Sequence, residues 1–211
     1  MPTLTGGAVH GPPPPPVHHE WGGGDGADGR GAGRRTSFIG LIILLVSTGI
    51  VFGALVIAFL ARRAMGDDWI PMPKPHILWL NTAVLILSSV ALDISRRALK
   101  AHNRPRFNLW WTAATALGGV FLIGQAIAWS QLRAAGVYVA TNPSSSFFYV
   151  MTAVHALHLI GGMSALTWVD VQAFRYRLGP AKRTAIDISA IFWHYLDALW
   201  LLLMACFYIW G

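Results

Sequence analysis

Four ionisable side chains lie inside apolar stretches of this sequence, in two pairs. His155 and His158 are three residues apart, and so are His194 and Asp197. On a helix, residues three apart share a face, so each pair presents two polar groups to the same neighbour. Imidazole and carboxylate groups at such positions can bind haem iron, pass protons or hold two helices together by hydrogen bonds.

Depth in the membrane favours the last of these three functions. At about 1.5 Å per residue, His158 lies roughly 16 Å below the outer end of its predicted helix, and Asp197 roughly 15 Å above the inner end of the next. The two helices run antiparallel, so both groups fall near the middle of the bilayer. We therefore predict a contact between Asp197 and the face that carries His155 and His158, because a paired arrangement is less costly than isolated groups.

The two other functions stay open as alternatives. A b-type cytochrome anchor would use His155, His158 and His194 as haem ligands, although axial pairs usually come from two helices at matched depth. A proton relay needs a chain of titratable groups, and the other three helices carry almost none deep inside. Asn81 and Gln125 add hydrogen-bonding capacity between helices. No nucleophile–base pair, phosphate loop or metal-ligand cluster is apparent, so we predict no catalytic residue and no metal site in this chain.

The composition is that of a membrane protein. Of the 211 residues, 55% are apolar and 12% are charged, about half of the roughly 25% that is usual in a soluble domain. The mean hydropathy is +0.50. These values exclude a disordered chain, a soluble enzyme of ordinary surface chemistry and a nucleic-acid-binding domain. The net charge of +7 therefore indicates cationic loops on one face of a membrane.

Stretches without charged residues predict five transmembrane helices, because a spanning helix needs about 20 mainly apolar residues. Their predicted ranges are 37–61, 76–98, 108–132, 147–171 and 187–209. The predicted fold is all-α, a polytopic five-helix bundle over residues 37–211. Residues 1–36 are rich in proline and glycine, and we predict a disordered or extended tail there because such a segment cannot bury enough surface to offset its ordering entropy.

The distribution of Lys and Arg predicts the orientation. Twelve of the 16 fall in the tail, the second loop and the fourth loop, which a five-helix topology places on one side of the membrane. By the positive-inside rule, the N-terminus is cytoplasmic and the C-terminus is periplasmic or extracytoplasmic. Asp93, beside the arginines of the second loop, is predicted to form a local ion pair. Candidate contacts for anionic lipid head groups are Arg96, Arg97, Arg104 and Arg106.

Two motifs near the C-terminus carry a family resemblance. Residues 193–200 read WHYLDALW, similar to a WHFxDxxWL block, and the chain ends in YIWG, similar to the terminal WWG-like sequence of the same family. Residues 152–158 read TAVHALH and are followed by Gly161, similar to TGFHGLHVxxG.

Further matches lie on the second and third predicted helices. LNT at 80–82 with Ser88 and Ser89 is similar to LNTxxLxxSS, and Gln125 with Ala126 resembles a Q-A pair on the next helix. With these motifs in the right order and spacing over about 37–211, the chain resembles subunit III of haem–copper oxygen reductases, the cytochrome c oxidase type. Five helices correspond to the short bacterial form of that family.

The resemblance implies an accessory, all-helical subunit docked on the catalytic subunit I, with subunit II and other respiratory-complex subunits in the same complex. Haem and copper then belong to the partner subunits, this chain holds no redox group of its own, and it binds phospholipid. The implied function is to support assembly and proton uptake by subunit I, which couples oxygen reduction to proton pumping in the bacterial cytoplasmic (inner) membrane. A related subunit of a nitric oxide reductase complex and a stand-alone ion carrier remain alternatives, besides the b-type cytochrome anchor.

Three positions depart from the pattern of that family. By alignment, characteristic glutamates of the family fall at Thr48, His76 and Ala128 of this sequence. The resemblance therefore implies scaffolding and lipid binding more directly than a proton function that depends on those glutamates.

Overall fold

The computed structural model describes residues 25–66, 69–70, 75–175 and 182–210, with side chains from residue 33 onward except that of Lys182. Within these residues the chain forms five α-helices and no strand. The helices are α1 (Asp25–Met65), α2 (Ile77–Lys100), α3 (Arg104–Ala134), α4 (Pro143–Phe174) and α5 (Lys182–Trp210). The all-α, five-helix prediction is confirmed.

The helices are longer than their apolar cores. Each extends beyond its predicted range at one or both ends, because adding a residue to an existing helix gains a hydrogen bond without the cost of a new nucleus. The largest difference is at the N-terminus, where α1 begins at Asp25 although a tail was predicted up to residue 36. Residues 1–24 of that predicted tail lie outside the described residues.

Two helix starts are fixed by local side-chain caps. At α3, the Asn103 side chain accepts a hydrogen bond from the backbone N–H of Arg106 at 3.1 Å. At α4, Asn142 and Ser145 form a reciprocal capping box, with Pro143 at the first turn. Such caps satisfy backbone N–H groups that have no partner inside the helix.

All five helices are long and apolar enough to cross a membrane. Their outward side chains are large and apolar, and Ile43, Ile57 and Leu157 are each more than 60% exposed. A soluble protein rarely exposes so much contiguous apolar surface, whereas lipid tails solvate it well. The chain is a multi-pass membrane protein.

Helices α2 and α3 form the closest pair in the bundle. The short turn at residues 101–103 makes them antiparallel neighbours. On α2, Ser88 donates to the carbonyl of Ala114 at 2.8 Å, and Ser95 donates to the carbonyl of Phe107 at 3.1 Å. Hydroxyl-to-carbonyl bonds of this kind and small residues at the contact allow two backbones to approach closely in lipid.

A bulky residue at Gly124 is expected to separate this pair. A Cβ atom there would lie 2.0 Å from Oδ1 of Asn81, whereas a Cβ at Gly119, on the same helix, meets nothing within 4 Å. We expect Gly124→Val to cost about 1–3 kcal/mol of the free energy of unfolding, the usual range for overpacking. Thermal unfolding in detergent measures this, with Gly119→Val as the matched control. Equal stability of the two variants would contradict the close contact.

The interior of the bundle is aromatic. Trp193 and Trp200 of α5 are fully buried, and the ring of Trp193 occupies the space beside Gly118 of α3. Trp200 packs edge-on against Phe121 of α3 at 4.9 Å between ring centroids. Its indole N–H donates to the Thr82 hydroxyl of α2 at 3.0 Å, so a single side chain joins three helices.

Helix α1 packs at the edge of this core and contributes the buried rings of Phe52 and Phe59 to it. Among the described helices it contacts only α4 and α5. The Tyr195 hydroxyl of α5 donates to the carbonyl of Leu45 at 2.9 Å and fits beside Gly49, where a Cβ would lie 2.7 Å from the hydroxyl oxygen. Most of the remaining α1 surface faces outward and is available to lipid or to another protein.

Candidate functional site

A row of polar side chains connects α2 with α5, starting at the end of the bundle where the second and fourth loops lie. There, Nη2 of Arg96 donates to Oδ1 of Asp187 at 3.1 Å. The same guanidinium lies 3.8 Å from Oδ1 of Asp93, one turn earlier on α2. The ion pair predicted between Asp93 and its neighbouring arginines is therefore present through Arg96, which also reaches across to α5.

The row continues inward through His194. Its Nε2 lies 3.3 Å from Oδ1 of Asp93, and its Nδ1 lies 2.5 Å from the hydroxyl oxygen of Ser89. Asp93 is about half exposed, and His194 is 31% exposed. Ser89 and Asp93 are four residues apart on α2 and His194 lies between them, so side chains from the two helices alternate along the row.

Asp197 lies at the inner end of the row, on the same face of α5 as His194. It is 8% exposed, and Trp193 and Trp200 lie on either side of it along the helix. The Ser89 hydroxyl is beside its carboxyl group. Neither carboxyl oxygen accepts a hydrogen bond of good geometry from any described residue. We call Asp93, His194, Ser89 and Asp197 the polar row.

The predicted contact between Asp197 and the histidines of α4 is wrong. His155 is fully buried, with both ring nitrogens free of hydrogen bonds within the described structure. Nδ1 of His158 donates a hydrogen bond to the carbonyl of Val154 in its own helix, at 2.8 Å. The prediction rested on depth, and depth does not fix which way a side chain points around the helix axis. Here the polar face of α5 is turned toward α2.

Aromatic rings surround His155. Its ring is tilted over Trp200 with centroids 5.2 Å apart, and it meets Phe52 and Phe121 edge-on at 6.1 and 6.0 Å. Phe52 also contacts His158, at 5.6 Å. His155 therefore packs like an aromatic residue at the junction of α1, α3, α4 and α5, and it does not face His194, which lies against α2.

The two predicted buried amides occupy separate places. Asn81 is 3% exposed and packs against Gly124, and its Nδ2 has no hydrogen-bond partner in the described part of the chain. Gln125 is 1% exposed, and within the same described residues both of its terminal atoms lack partners. A helix-linking role for these amides stays a prediction, because the described contacts give neither one a hydrogen bond to another helix.

The loop arginines differ in their surroundings. Arg97, Arg104 and Arg106 are exposed at the turn between α2 and α3, whereas Arg96 is partly buried by its contact with Asp187. Lipid head groups could therefore reach the first three more easily than Arg96. The described residues include no group of three or more His, Cys, Asp or Glu side chains placed to hold a metal ion.

Ser89 and Asp187 belong to this site but were not among the site residues predicted from the sequence. A signal for both was present. Ser89, Asp93 and Arg96 recur at intervals of three to four residues, which places them on one face of α2. Asp187 precedes His194 by two turns on α5. This spacing predicts a shared site only when α2 and α5 are known to be neighbours.

A groove lies between α1, α4 and α5. It has a volume of about 440 Å³ and is lined almost entirely by apolar groups, including Leu41 and Leu44 of α1, Leu157 and Gly161 of α4, and Phe192 of α5. His158 contributes a polar group to its lining.

The groove continues toward the membrane surface. A neighbouring cavity of about 360 Å³ shares Ala165, Ile188 and Ser189 with it and is bordered by Ser37, Trp168 and Thr184. The combined space is apolar along its length and more polar at the end that carries Ser37 and Thr184.

The three positions at which the family carries glutamates hold no carboxyl group in this chain. Thr48 is 1% exposed on α1, and its hydroxyl has no partner among the described residues. Ala128 is fully buried on α3, and His76 is exposed just before α2. None of the three belongs to the polar row.

Comparison with known proteins gives a consistent result. The family model described as cytochrome c oxidase subunit III matches residues 31–211. A cytochrome c oxidase subunit 3 from Thermostichus vulcanus is 31% identical over 175 residues, covering 81% of this chain and 86% of the relative. A probable cytochrome c oxidase subunit 3 from Nocardia farcinica is 29% identical with the same coverage. A cytochrome c oxidase subunit 3 from Synechocystis is 26% identical, covering 81% of this chain and 74% of the relative.

Proposed function

Since the chain belongs to the cytochrome c oxidase subunit III family, we propose that it is the non-redox accessory subunit of a respiratory terminal oxidase and supports the assembly, lipid binding and proton uptake of subunit I. The observation that carries this proposal is the family match over residues 31–211, which includes all of the apolar part of the bundle. Haem and copper would belong to the partner subunits.

The surroundings of the three membrane histidines support a non-redox function. His155 is enclosed by aromatic rings, His158 is bonded to its own helix, and His194 is held between Ser89 and Asp93. Haem ligation by His155 would require displacing its aromatic neighbours, and ligation by His194 would require displacing Ser89 or Asp93. The bond of His158 leaves its Nε2 free, but one free imidazole does not supply a pair of axial ligands. The same observation gives no support to a b-type cytochrome anchor.

Purification of the tagged chain from mild detergent tests the proposal. We expect a haem–copper subunit I to co-purify with it, with haem absorption following that partner. The chain separated from its partners should show no Soret band. A Soret band in the isolated chain, or a solubilised complex without a haem–copper subunit, would contradict the proposal. The second outcome would also leave the stand-alone carrier as the better explanation.

We place the N-terminus in the cytoplasm and the bundle in a bacterial cytoplasmic membrane. This placement follows from the twelve Lys and Arg residues on one side. Asp93, Arg96 and Asp187 then lie toward the cytoplasmic end of the bundle. Ser37 and Thr184, at the more polar end of the groove, lie toward the same side.

The groove between α1, α4 and α5 is the proposed phospholipid site. Its apolar lining suits acyl chains, and its more polar end lies where a head group of the cytoplasmic leaflet would be. Gly161 borders the groove and has open space beside it, since a Cβ there meets nothing within 4 Å.

Filling the groove is expected to remove bound lipid without unfolding the bundle. We expect Gly161→Phe to lower the amount of phospholipid that co-purifies with the complex, as measured by mass spectrometry of extracted lipid. Gly119→Phe is the control, because Gly119 is equally open but lies on α3, away from the groove. Equal lipid content in the two variants would show that the lipid binds elsewhere.

A further inference from the structure

The polar row contains the elements of a hydrogen-bonded chain with a single direction. If Asp197 carries a proton and donates it toward Ser89, the Ser89 hydroxyl is free to donate to Nδ1 of His194, 2.5 Å away. Nε2 of His194 then carries the ring proton and faces the carboxylate of Asp93 at 3.3 Å. The contact between Ser89 and His194 is the hydrogen bond of good geometry in this row, since Nε2 of His194 and both Asp197 oxygens have none among the described residues. Arg96 with Asp187 closes the row at its exposed end.

We propose that the polar row is a proton path between the cytoplasmic end of the bundle and Asp197, which acts as a buried proton store. The path itself follows from the positions of these four side chains. Its use by the oxidase deepens the proposed support of proton uptake and rests on that proposed function.

The transfer is balanced within the row. To fill the store, a protonated Asp93 gives its proton to Nε2 of His194, and the ring releases its Nδ1 proton to the Ser89 oxygen. The serine passes its original hydroxyl proton to the carboxylate of Asp197. One proton has then moved inward, Asp93 is a carboxylate again, and the ring has changed tautomer. To release the proton, each of these steps runs in reverse.

Few other titratable groups face this path. On α2 they are Asp93 and Arg96, which are already part of the row or its exposed end. On α4, His155 and His158 are turned away from the path, since their contacts lie with Phe52, Trp200 and the α4 backbone. The sequence of α1 between 36 and 61 and that of α3 between 107 and 132 contain no Asp, Glu, His, Lys, Arg, Cys or Tyr.

Position suits Asp197 to hold a proton and not a fixed charge. It has no basic partner among the described side chains, and an ionised carboxylate is costly inside a membrane. Asp93, at the other end, is about half exposed and lies beside Arg96, so it can exchange protons with water near the membrane surface. The row therefore joins a solvent-exposed carboxyl group to a buried one through an imidazole and a hydroxyl. Both of these groups can donate and accept hydrogen bonds.

Infrared spectroscopy of the purified complex tests the path directly. The carboxyl C=O band that disappears in Asp197→Asn identifies the protonated store, and its shift after rapid transfer to D2O gives the exchange rate. We expect Ser89→Ala to slow this exchange by about a hundredfold, the lower end of what a positioned proton-transfer group contributes. Ser88→Ala is the matched control, because Ser88 is adjacent but donates to Ala114 of α3, away from the row.

The outcomes separate the path from its use. A missing band in the unaltered complex, or equal exchange in Ser89→Ala and Ser88→Ala, would overturn the proton path. If Ser89→Ala lowers the yield of complex, Ser89→Thr keeps the hydroxyl and should exchange at the normal rate, while Asp93→Asn removes the outer carboxyl group and should slow exchange. Slow exchange in Ser89→Ala with unchanged proton uptake by the oxidase would leave the path intact and contradict only its use.

Discussion

Replacing Trp200 with alanine is expected to cost about 3–5 kcal/mol of the free energy of unfolding, the range for removing a buried aromatic side chain. The indole is fully buried, packs against Phe121 and His155, and donates to Thr82. Its removal leaves a large cavity where α2, α3, α4 and α5 meet. It also exposes the unpaired imidazole of His155 to that cavity.

Thermal unfolding in detergent, followed by loss of the folded complex on size-exclusion chromatography, measures this cost. Trp210→Ala is the control, since Trp210 is 38% exposed at the end of α5 and its loss should change stability by no more than about 0.5 kcal/mol. Trp200→Phe should fall between them, because it keeps an aromatic ring and loses the hydrogen bond to Thr82. Similar stability of Trp200→Ala and Trp210→Ala would show that the aromatic junction does not hold the bundle together.

The two polar residues of α5 are expected to respond in opposite ways to leucine. His194→Leu removes the group that joins Ser89 to Asp93, so it should destabilise the bundle by about 1–3 kcal/mol, the cost of leaving polar partners unsatisfied. Asp197→Leu removes a buried carboxyl group and leaves the bond between Ser89 and His194 in place. It should therefore leave thermal stability unchanged or raise it.

The same unfolding measurement compares the two variants. Asp197→Asn, which keeps the shape and polarity of the side chain, serves as the reference for Asp197→Leu. A larger loss of stability in Asp197→Leu than in His194→Leu would indicate that Asp197 has a structural partner, as we predicted from its position in the sequence. If Asp197→Leu keeps its thermal stability but impairs proton uptake, Asp197 is needed for proton transfer and not for the stability of the bundle.

The number and order of the helices could be predicted because the bilayer imposes them. A transmembrane span must be helical and about 20 residues long. The ends of a stretch without charged residues therefore predict the ends of the span to within a few residues. The ends were less predictable, since α1 extends back to Asp25 through a glycine-rich segment that contains charged residues. The apolar composition of a segment predicts which residues lie in the membrane. It does not predict how many residues the helix continues beyond the membrane.

The partners of the polar residues could not be predicted in the same way. Spacing showed that His194 and Asp197 share a face, but it did not show which helix that face meets. The choice depends on how α5 is rotated, and that rotation is set by Trp193 and Trp200, which turn one side of the helix toward α3. Ser89 was recognised as part of a motif on α2, yet its contact with His194 joins residues 105 positions apart.

The sparse packing of α1 has a consequence for how the protein is made. Of the five described helices, α1 comes earliest in the chain and contacts only the last two, α4 and α5. Because a chain is synthesised from its N-terminus, α1 has no neighbour from this bundle in the bilayer until α4 and α5 have been inserted. A chain that lacks α5 would therefore leave α1 with α4 as its one neighbour among the described helices, without the bond from Tyr195 to the carbonyl of Leu45.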